Sequence, residues 1–417
     1  MALIPNPSPA RGEGSDRSRY DLLIVGAGIS GLSMAHYAAG AGLNALVLEQ
    51  DGRAGGCLHS HRFTGELDGF WLELGAHSSF NSYGNFLAIL ERIGLLDRLQ
   101  RRAKVGFRLF ADGAVRTIPS QLHVLELLPA PFRLLGSSKA GRSVADYFGR
   151  IVGPRNYAEV FEPAFDAVIC QPAGDFPADC LFRSRPRRKD VPRGFTLSGG
   201  LQTIADILAD RPDIRIESNQ PAREIRRDGE GFLVRTDGGA FTARSLCLAT
   251  PVAVAARLLQ TEFPELADRL ARIRMAEVET VGVAVPMARS SLPPLAGLIG
   301  RNEAFYSAVS RDTVPDPAHR GFTFHFRPGA LDEEGKLNRI ARVLNVPRAA
   351  LDSGNVVGKI NQLPALRVGH GELIRAVDDA LAGNRLALAG NYFTGVAIED
   401  CVTRSRREFE RLRREGL

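Results

Sequence analysis

Apolar residues change their spacing several times along this chain, and each change predicts an element. Asp21-Leu22-Leu23-Ile24-Val25 is a short continuous apolar run, as expected of a parallel strand buried on both faces. It leads into Gly26-Ala27-Gly28-Ile29-Ser30-Gly31, an Ala-rich helical stretch over 32–41, and a second strand over 43–48 ending at Glu49-Gln50. Residues 87–99 have helical amphipathic spacing. Over 101–160, Pro and Gly interrupt mixed basic and apolar clusters, which predicts several short helices rather than a sheet. A helix is expected over 201–209 and strands over 214–216, 221–227, 231–236 and 240–242, with Asp237-Gly238-Gly239 as a hairpin signal. Ser245 to Thr250 reads as a buried strand ended by Pro251; 280–286 and 321–327 read as strands of a second sheet. The chain closes with a strand over 385–390, a loop over 391–396 and a helix over 397–414.

The order strand, G-x-G-x-x-G, helix, strand, acid carries specific chemistry. Gly26 permits the tight turn, Gly28 lets backbone approach a pyrophosphate, and Gly31 lets helix and strand pack closely. The helix start, at Ile29 and Ser30, offers N–H groups and a positive dipole end to phosphates. Glu49 can accept from a ribose diol and follows Gly31 at close to the expected separation of about 20 residues. The spacing alone leaves NAD and FAD open.

Arg53-Ala54-Gly55-Gly56-Cys57 follows directly, and with it the sequence resembles the flavin amine oxidase superfamily. LALAGNYFTGVAIEDCV near the C-terminus resembles the terminal FAD motif of protoporphyrinogen oxidases in that superfamily, and FTLSGGLQTI resembles their central motif. The resemblance implies an α/β fold: a discontinuous Rossmann-type FAD-binding domain with a mixed α+β substrate-binding cap. The expected division is a flexible tail (1–19), FAD-binding parts (20–85, 193–260 and 380–417), a mainly helical cap (86–192) and a substrate-domain sheet (261–379). It also implies that Glu49 and Gln50 hold the adenosine ribose, and that Arg53, Gly55, Gly56 and Cys57 run along the diphosphate. Gly75-Ala76-His77 would approach the flavin ring, Glu224 and Ile225 would lie beside the adenine, and Gly390, Asn391, Gly395 and Val396 would line the pyrimidine edge. Cys57 departs from the basic or small apolar residue common at its position. Trp71 is the sole Trp, so the Trp-containing amine cage of monoamine oxidases is absent near the C-terminus.

Composition narrows the picture further. In 417 residues, 44% are hydrophobic and 24% charged, which excludes a largely disordered chain, and no apolar run is long enough to span a bilayer. The net charge of +6 rests almost wholly on Arg and gives no reason to expect nucleic acid. Five cysteines without a CxxC fit a reducing compartment, and no metal site is expected, because His59 and His61 lack partner ligands. The basic run 183–193 suits a solvated face, anionic lipid or an acidic substrate. His77 is the candidate catalytic group near the ring. Tyr392 is expected at the flavin edge or in the core, Cys401 near the isoalloxazine or as an inert buried thiol, and His370 as a capping or surface residue.

The expected function is FAD-dependent oxidation of a small hydrophobic, tetrapyrrole-like substrate, with oxygen or a quinone as acceptor. The alternatives are a flavin amine oxidase, a polyene desaturase, or an NAD(P)H-dependent flavoprotein serving a redox partner. A cytoplasmic location is expected, with peripheral attachment to the inner membrane face through 101–193 as a further hypothesis.

Overall fold

Tyr20–Val25, Ala45–Leu48 and Leu386–Leu388 are strands in which almost every residue is buried, so each needs a packed layer on both faces. The computed structural model describes residues 19–417 and supplies those layers; the tail expected over 1–19 lies outside them apart from Arg19. The strands form a seven-stranded sheet running Arg215–Glu217, Ala45–Leu48, Tyr20–Val25, Gly239–Leu248, Gly231–Thr236, Ala222–Asp228. Leu386–Leu388 pairs with the far end of Gly239–Leu248. The expected strands at 240–242 and 245–250 are one ten-residue strand. Its first half pairs antiparallel with Gly231–Thr236 and its second half parallel with Leu386–Leu388, so one element joins a hairpin to the parallel core.

Alternation sorts side chains between the two faces. Leu22, Ile24 and Val47 meet helices Ile29–Gly40, Gly84–Arg92, Gln202–Ala209 and Ile398–Arg414. Leu23, Val25 and Leu46 meet Val252–Leu259, Pro264–Ala271 and His370–Leu381. A second seven-stranded sheet contains Met275–Pro286 and His319–Phe326, as expected, and places Phe322, Phe324 and Phe326 against helix Glu333–Leu344.

The stretch 101–160 is not wholly helical. Phe107–Ala111 and Ala114–Thr117 form a hairpin on the edge of the second sheet. Asp112 and Gly113 both take positive φ there (53° and 73°), the requirement of a type I′ turn. The Asp-Gly signal sits between short alternating runs, and the basic residues around it hid that period. Short helices follow from Val124 onward.

Helix Gly84–Arg92 begins at Tyr83 with no side-chain cap of its own. The Glu399 carboxylate, on the C-terminal helix, accepts from the N–H groups of Asn85 and Phe86, both at 3.0 Å. Glu399→Ala strands these donors at a buried seam and is expected to cost about 1–3 kcal/mol. Urea unfolding should show it, whereas Glu410→Ala, at an exposed pair with Arg406, should stay within about 0.5 kcal/mol of the parent.

Candidate functional site

Three glycines set the shape of the loop after the first strand. A Cβ on Gly31 would lie 1.8 Å from the Gly26 carbonyl oxygen, and one on Gly26 would lie 2.6 Å from that of Ala249. Gly28 differs: its φ is −69°, and the nearest atom to an added Cβ is the Gly56 Cα at 4.0 Å. Its freedom from a side chain is therefore not demanded by the protein's own packing. Gly28 bridges to Gly55, and the Gly55 N–H donates to Ala27 O at 2.8 Å, so the two glycine stretches lie side by side. Gly55 and Gly56 hold φ of 117° and 56°.

Ile29 and Ser30 open a helix that no side chain caps. The Glu49 carboxylate at the end of the neighbouring strand accepts from the N–H groups of Ala27 (2.6 Å) and Asp51 (3.0 Å), and Gln50 beside it is exposed. Arg53 turns inward: its guanidinium donates to the carbonyls of Ala54, Gly56 and Leu58 and to Gln202. Its hydrogen bonds hold the glycine loop in shape.

Glu224 and Ile225 are not brought to this edge. Ile225 is buried in the core on the other face of the sheet, and Glu224 pairs with Arg226 and Arg235. The chain beside Glu49 is instead 217–220: the Glu49 N–H donates to Glu217 O and the Gln220 N–H to Glu49 O. The strand Ala222–Asp228 then pairs on the opposite side of the sheet from Ala45–Leu48, and that sheet order decides the matter.

Cys57, exposed, runs beside Gly75 and Ala76; a Cβ on Gly75 would meet Cys57 O at 2.1 Å. At the C-terminal motif Gly390 has φ of 159°, and Asn391 leads into Tyr392, whose fully buried ring fills the core. Gly395 and Val396 precede helix Ile398–Arg414. A Cβ on Gly395 would meet the Asp400 carboxylate at 2.5 Å, and that carboxylate accepts from Arg185 at 2.6 Å with Arg183 at 3.7 Å. The basic run 183–193 is therefore partly committed inward. Cys401 is a buried thiol whose pKa burial pushes up to about 12. His370, expected as a capping or surface residue, is neither: it is the buried first residue of its helix, after the N-cap Gly369, and donates from Nε2 to the carbonyls of Tyr392 and Phe393.

Beyond Gly75 the chain enters a cavity of about 30 Å³ lined by Trp71, Glu73, His77, Arg102, Thr196 and Arg311. Thr313 and Thr323 complete one wall. The exposure of His77 and Glu73 is to this cavity, so loss of hydration dominates their titration. It depresses His77 to about 4, assisted by Arg102, and raises Glu73 to about 7 against hydrogen bonds from Ser60 and the Leu201 N–H. His325, whose ring centre is 5.9 Å from that of His77, is depressed by burial to about 3. Its Nδ1 lies 3.0 Å from Ser307 Oγ. Both imidazoles are neutral near pH 7.

Arg102 donates to His77 O and Ser78 Oγ. The Arg311 guanidinium lies 4.5 and 4.8 Å from the ring centres of Phe70 and Trp71, with Asp316 at 3.7 Å and no hydrogen-bond partner at Nε or Nη1. Sequence reasoning missed Arg102, Arg311 and His325. A signal existed for His325: 322–326 alternates Phe with Thr323 and His325, so one face of a buried strand is polar.

A dinucleotide fits the first edge, since the gap at Gly28 is one that a Cβ would fill and an uncapped helix start adjoins it. Gly31→Ala should destabilise the protein at the upper end of the roughly 1–3 kcal/mol of overpacked sites. Gly28→Ala should leave the unfolding midpoint of the FAD-free protein unchanged while purified flavin content drops. Unchanged FAD affinity in Gly28→Ala would show that the pyrophosphate does not pass there.

Residues 29–412 match the family model described as flavin containing amine oxidoreductase. Coproporphyrinogen III oxidase of Propionibacterium freudenreichii subsp. freudenreichii is 25% identical, over 96% of this chain and 92% of its own. A crystal structure of a protein provisionally named protoporphyrinogen oxidase, from Exiguobacterium sp. 255-15, superposes with a TM-score of 0.74 at 21% identity, covering 96% of this chain and 100% of that one. Cyclohexylamine oxidase from Brevibacterium oxydans IH-35A gives a TM-score of 0.68 at 15% identity, covering 95% and 99%. The chain belongs to the flavin-containing amine oxidoreductase family and is an FAD-dependent oxidoreductase.

Proposed function

We propose that this enzyme dehydrogenates a carboxylate-bearing porphyrinogen, with oxygen or a quinone as terminal acceptor. The observation that carries the reading is the cavity beside His77, whose roughly 30 Å³ suits one carboxylate of the substrate and not its macrocycle. Two desolvated guanidiniums, Arg102 and Arg311, line it, and Arg311 keeps unpaired donors. Loss of hydration lowers the pKa of both, against the opposing carboxylates of Glu73 and Asp316, so the two cations are held in a site with little water and with donors left over. A carboxylate is the ordinary bidentate partner of such a group. The whole-length likeness to a coproporphyrinogen III oxidase supports the same substrate class.

The glycines Gly26, Gly28, Gly31, Gly55 and Gly56 would hold the FAD diphosphate and Glu49 the ribose. Segments 75–77 and 395–396 would adjoin the ring. Bound FAD supplies the two-electron acceptor. The chain's own task is to orient the substrate and take up its proton. Arg102 and Arg311 anchor carboxylate, Trp71 and Phe70 keep water from Arg311, and His77 accepts the proton in its neutral form. Coproporphyrinogen III added without oxygen should bleach the flavin band, and Arg311→Met should raise the half-saturating concentration at least tenfold with a smaller change in limiting rate. Bleaching by simple amines, with none by coproporphyrinogen or protoporphyrinogen, would overturn the assignment.

Peripheral membrane binding belongs to the same proposal. Val124, Leu125, Leu128, Phe132, Leu134 and Leu135 are exposed side by side on two short helices, while no described helix is long and apolar enough to cross a membrane. The Glu126 carboxylate turns inward, accepting from the N–H groups of Arg155 and Asn156. Exposed Arg133, Arg150 and Arg155 are left as charges around the patch. The protein should float with phosphatidylserine vesicles, and Leu125→Ser/Phe132→Ser/Leu135→Ser should remain in the soluble fraction.

A further inference from the structure

A second cavity, about 430 Å³, lies where the chain passes between its two large sheets. Residues 272–274 leave helix Pro264–Ala271 for strand Met275–Pro286. Residues 365–369 return from strand Val356–Pro364 to helix His370–Leu381. The two passages touch: the Ala365 N–H donates to Arg274 O at 2.8 Å, and Met275 pairs with Pro364.

The cavity wall carries Arg269, Arg272, Arg274 and Arg367, and its one carboxylate is Glu372. Glu372 is exposed, and its nearest cationic group is Arg375 at 4.0 Å, a residue that does not line the cavity. Among the described residues, the side chains of Arg272 and Arg274 make no hydrogen bond or ion pair. Arg269 has only Glu265 at 3.7 Å, whereas Arg367 is held by Asp175. Gly369, with φ of 89°, starts a twelve-residue helix without a side-chain cap on the same wall.

Arg272, Arg274 and Arg367 are exposed, so water and salt screen most of their mutual repulsion, and an anion seated among them offsets the remainder while using donors that no other group takes from Arg272 and Arg274. A volume of 430 Å³ falls within the roughly 300–1,000 Å³ of small-molecule sites. Forked guanidiniums brought to one cavity wall from separate segments suit a tetrahedral, multiply charged oxyanion better than a single carboxylate. We propose that this cavity binds a phosphate-bearing small molecule, separately from the FAD and substrate sites, and that the bound anion clasps the outgoing and returning passages together. Arg272 and Arg274 belong to the first passage and Arg367 to the second, so one ligand spans both.

The test uses the FAD-saturated enzyme, so that the dinucleotide site is not available to phosphate. Sodium pyrophosphate is titrated calorimetrically at constant ionic strength, with AMP as a second arm. Saturable one-to-one binding in the millimolar range or tighter is expected, weakened at least tenfold by Arg272→Gln/Arg274→Gln at unchanged flavin content. Arg223→Gln/Arg235→Gln, exposed arginines on the two outermost strands at one end of the first sheet and outside this cavity's lining, should bind like the parent. Binding of AMP with the same dependence on Arg272 and Arg274 supports a phosphorylated organic ligand; binding of pyrophosphate alone supports free phosphates. Absence of saturable binding by either probe, or equal affinity in the Arg272/Arg274 variant, overturns the proposal. Either result is independent of which substrate the flavin oxidises.

Discussion

Alignment of two helices from opposite ends of the chain is the constraint on which the rest of the nucleotide edge depends. The Ser405 hydroxyl donates to Ser30 O at 2.8 Å across 375 positions, and the rings of Tyr37 and Phe409 stack at 5.9 Å further along. Contacts that advance together in both helices make Ile29–Gly40 and Ile398–Arg414 parallel. Their N-termini therefore face the same edge, and their dipoles add there. That alignment brings the chain before each helix, at Gly28 and at Gly395, toward the same edge.

The C-terminal helix is held in place by more than its apolar stripe. Glu399 caps another helix, Asp400 binds Arg185 and caps its own helix through the Ala397 N–H, and Arg404 reaches Leu388 O. Each contact joins the helix to a different part of the chain. A buried carboxylate that accepts several N–H groups is costly to remove, because each stranded donor retains its desolvation penalty. The placement of the final motif is thus fixed by polar contacts as well as by Val402 and Leu412 in the core.

Electrostatics beside Gly75 follow from dryness and a surplus of guanidinium. Burial pushes His77 and His325 toward the neutral form and Glu73 toward the protonated form. Arg102 sits among hydroxyls and Arg311 beside two rings, with Asp316 at 3.7 Å as its carboxylate neighbour, so guanidinium outweighs carboxylate in the cavity, which contains neutral proton acceptors. No single segment supplies this combination. Glu73 and His77 come from the first third of the chain, Thr196 from the middle, Arg311 from the turn after strand Phe305–Ser310, and His325 from the second sheet.

The local sequence sufficed wherever the determining physics was local. A continuous apolar run, three glycines and an acid encode the first strand–helix–strand unit, because turn sterics and the helix dipole act over a few residues. The same holds for the hairpin at 237–239 and the strands at 280–286 and 321–327. Tertiary structure alone decided which chain lies beside Glu49, since the sheet order sends Glu224 and Ile225 away and brings 217–220 in. It also buried His370, turned Arg53 onto its own loop and set His325 against His77. Those outcomes depend on partners beyond the local repeat, from the 22 positions between His370 and Tyr392 to the far end of the chain for His325 against His77, and a residue's local pattern carries no term for the neighbour that will desolvate or bind it.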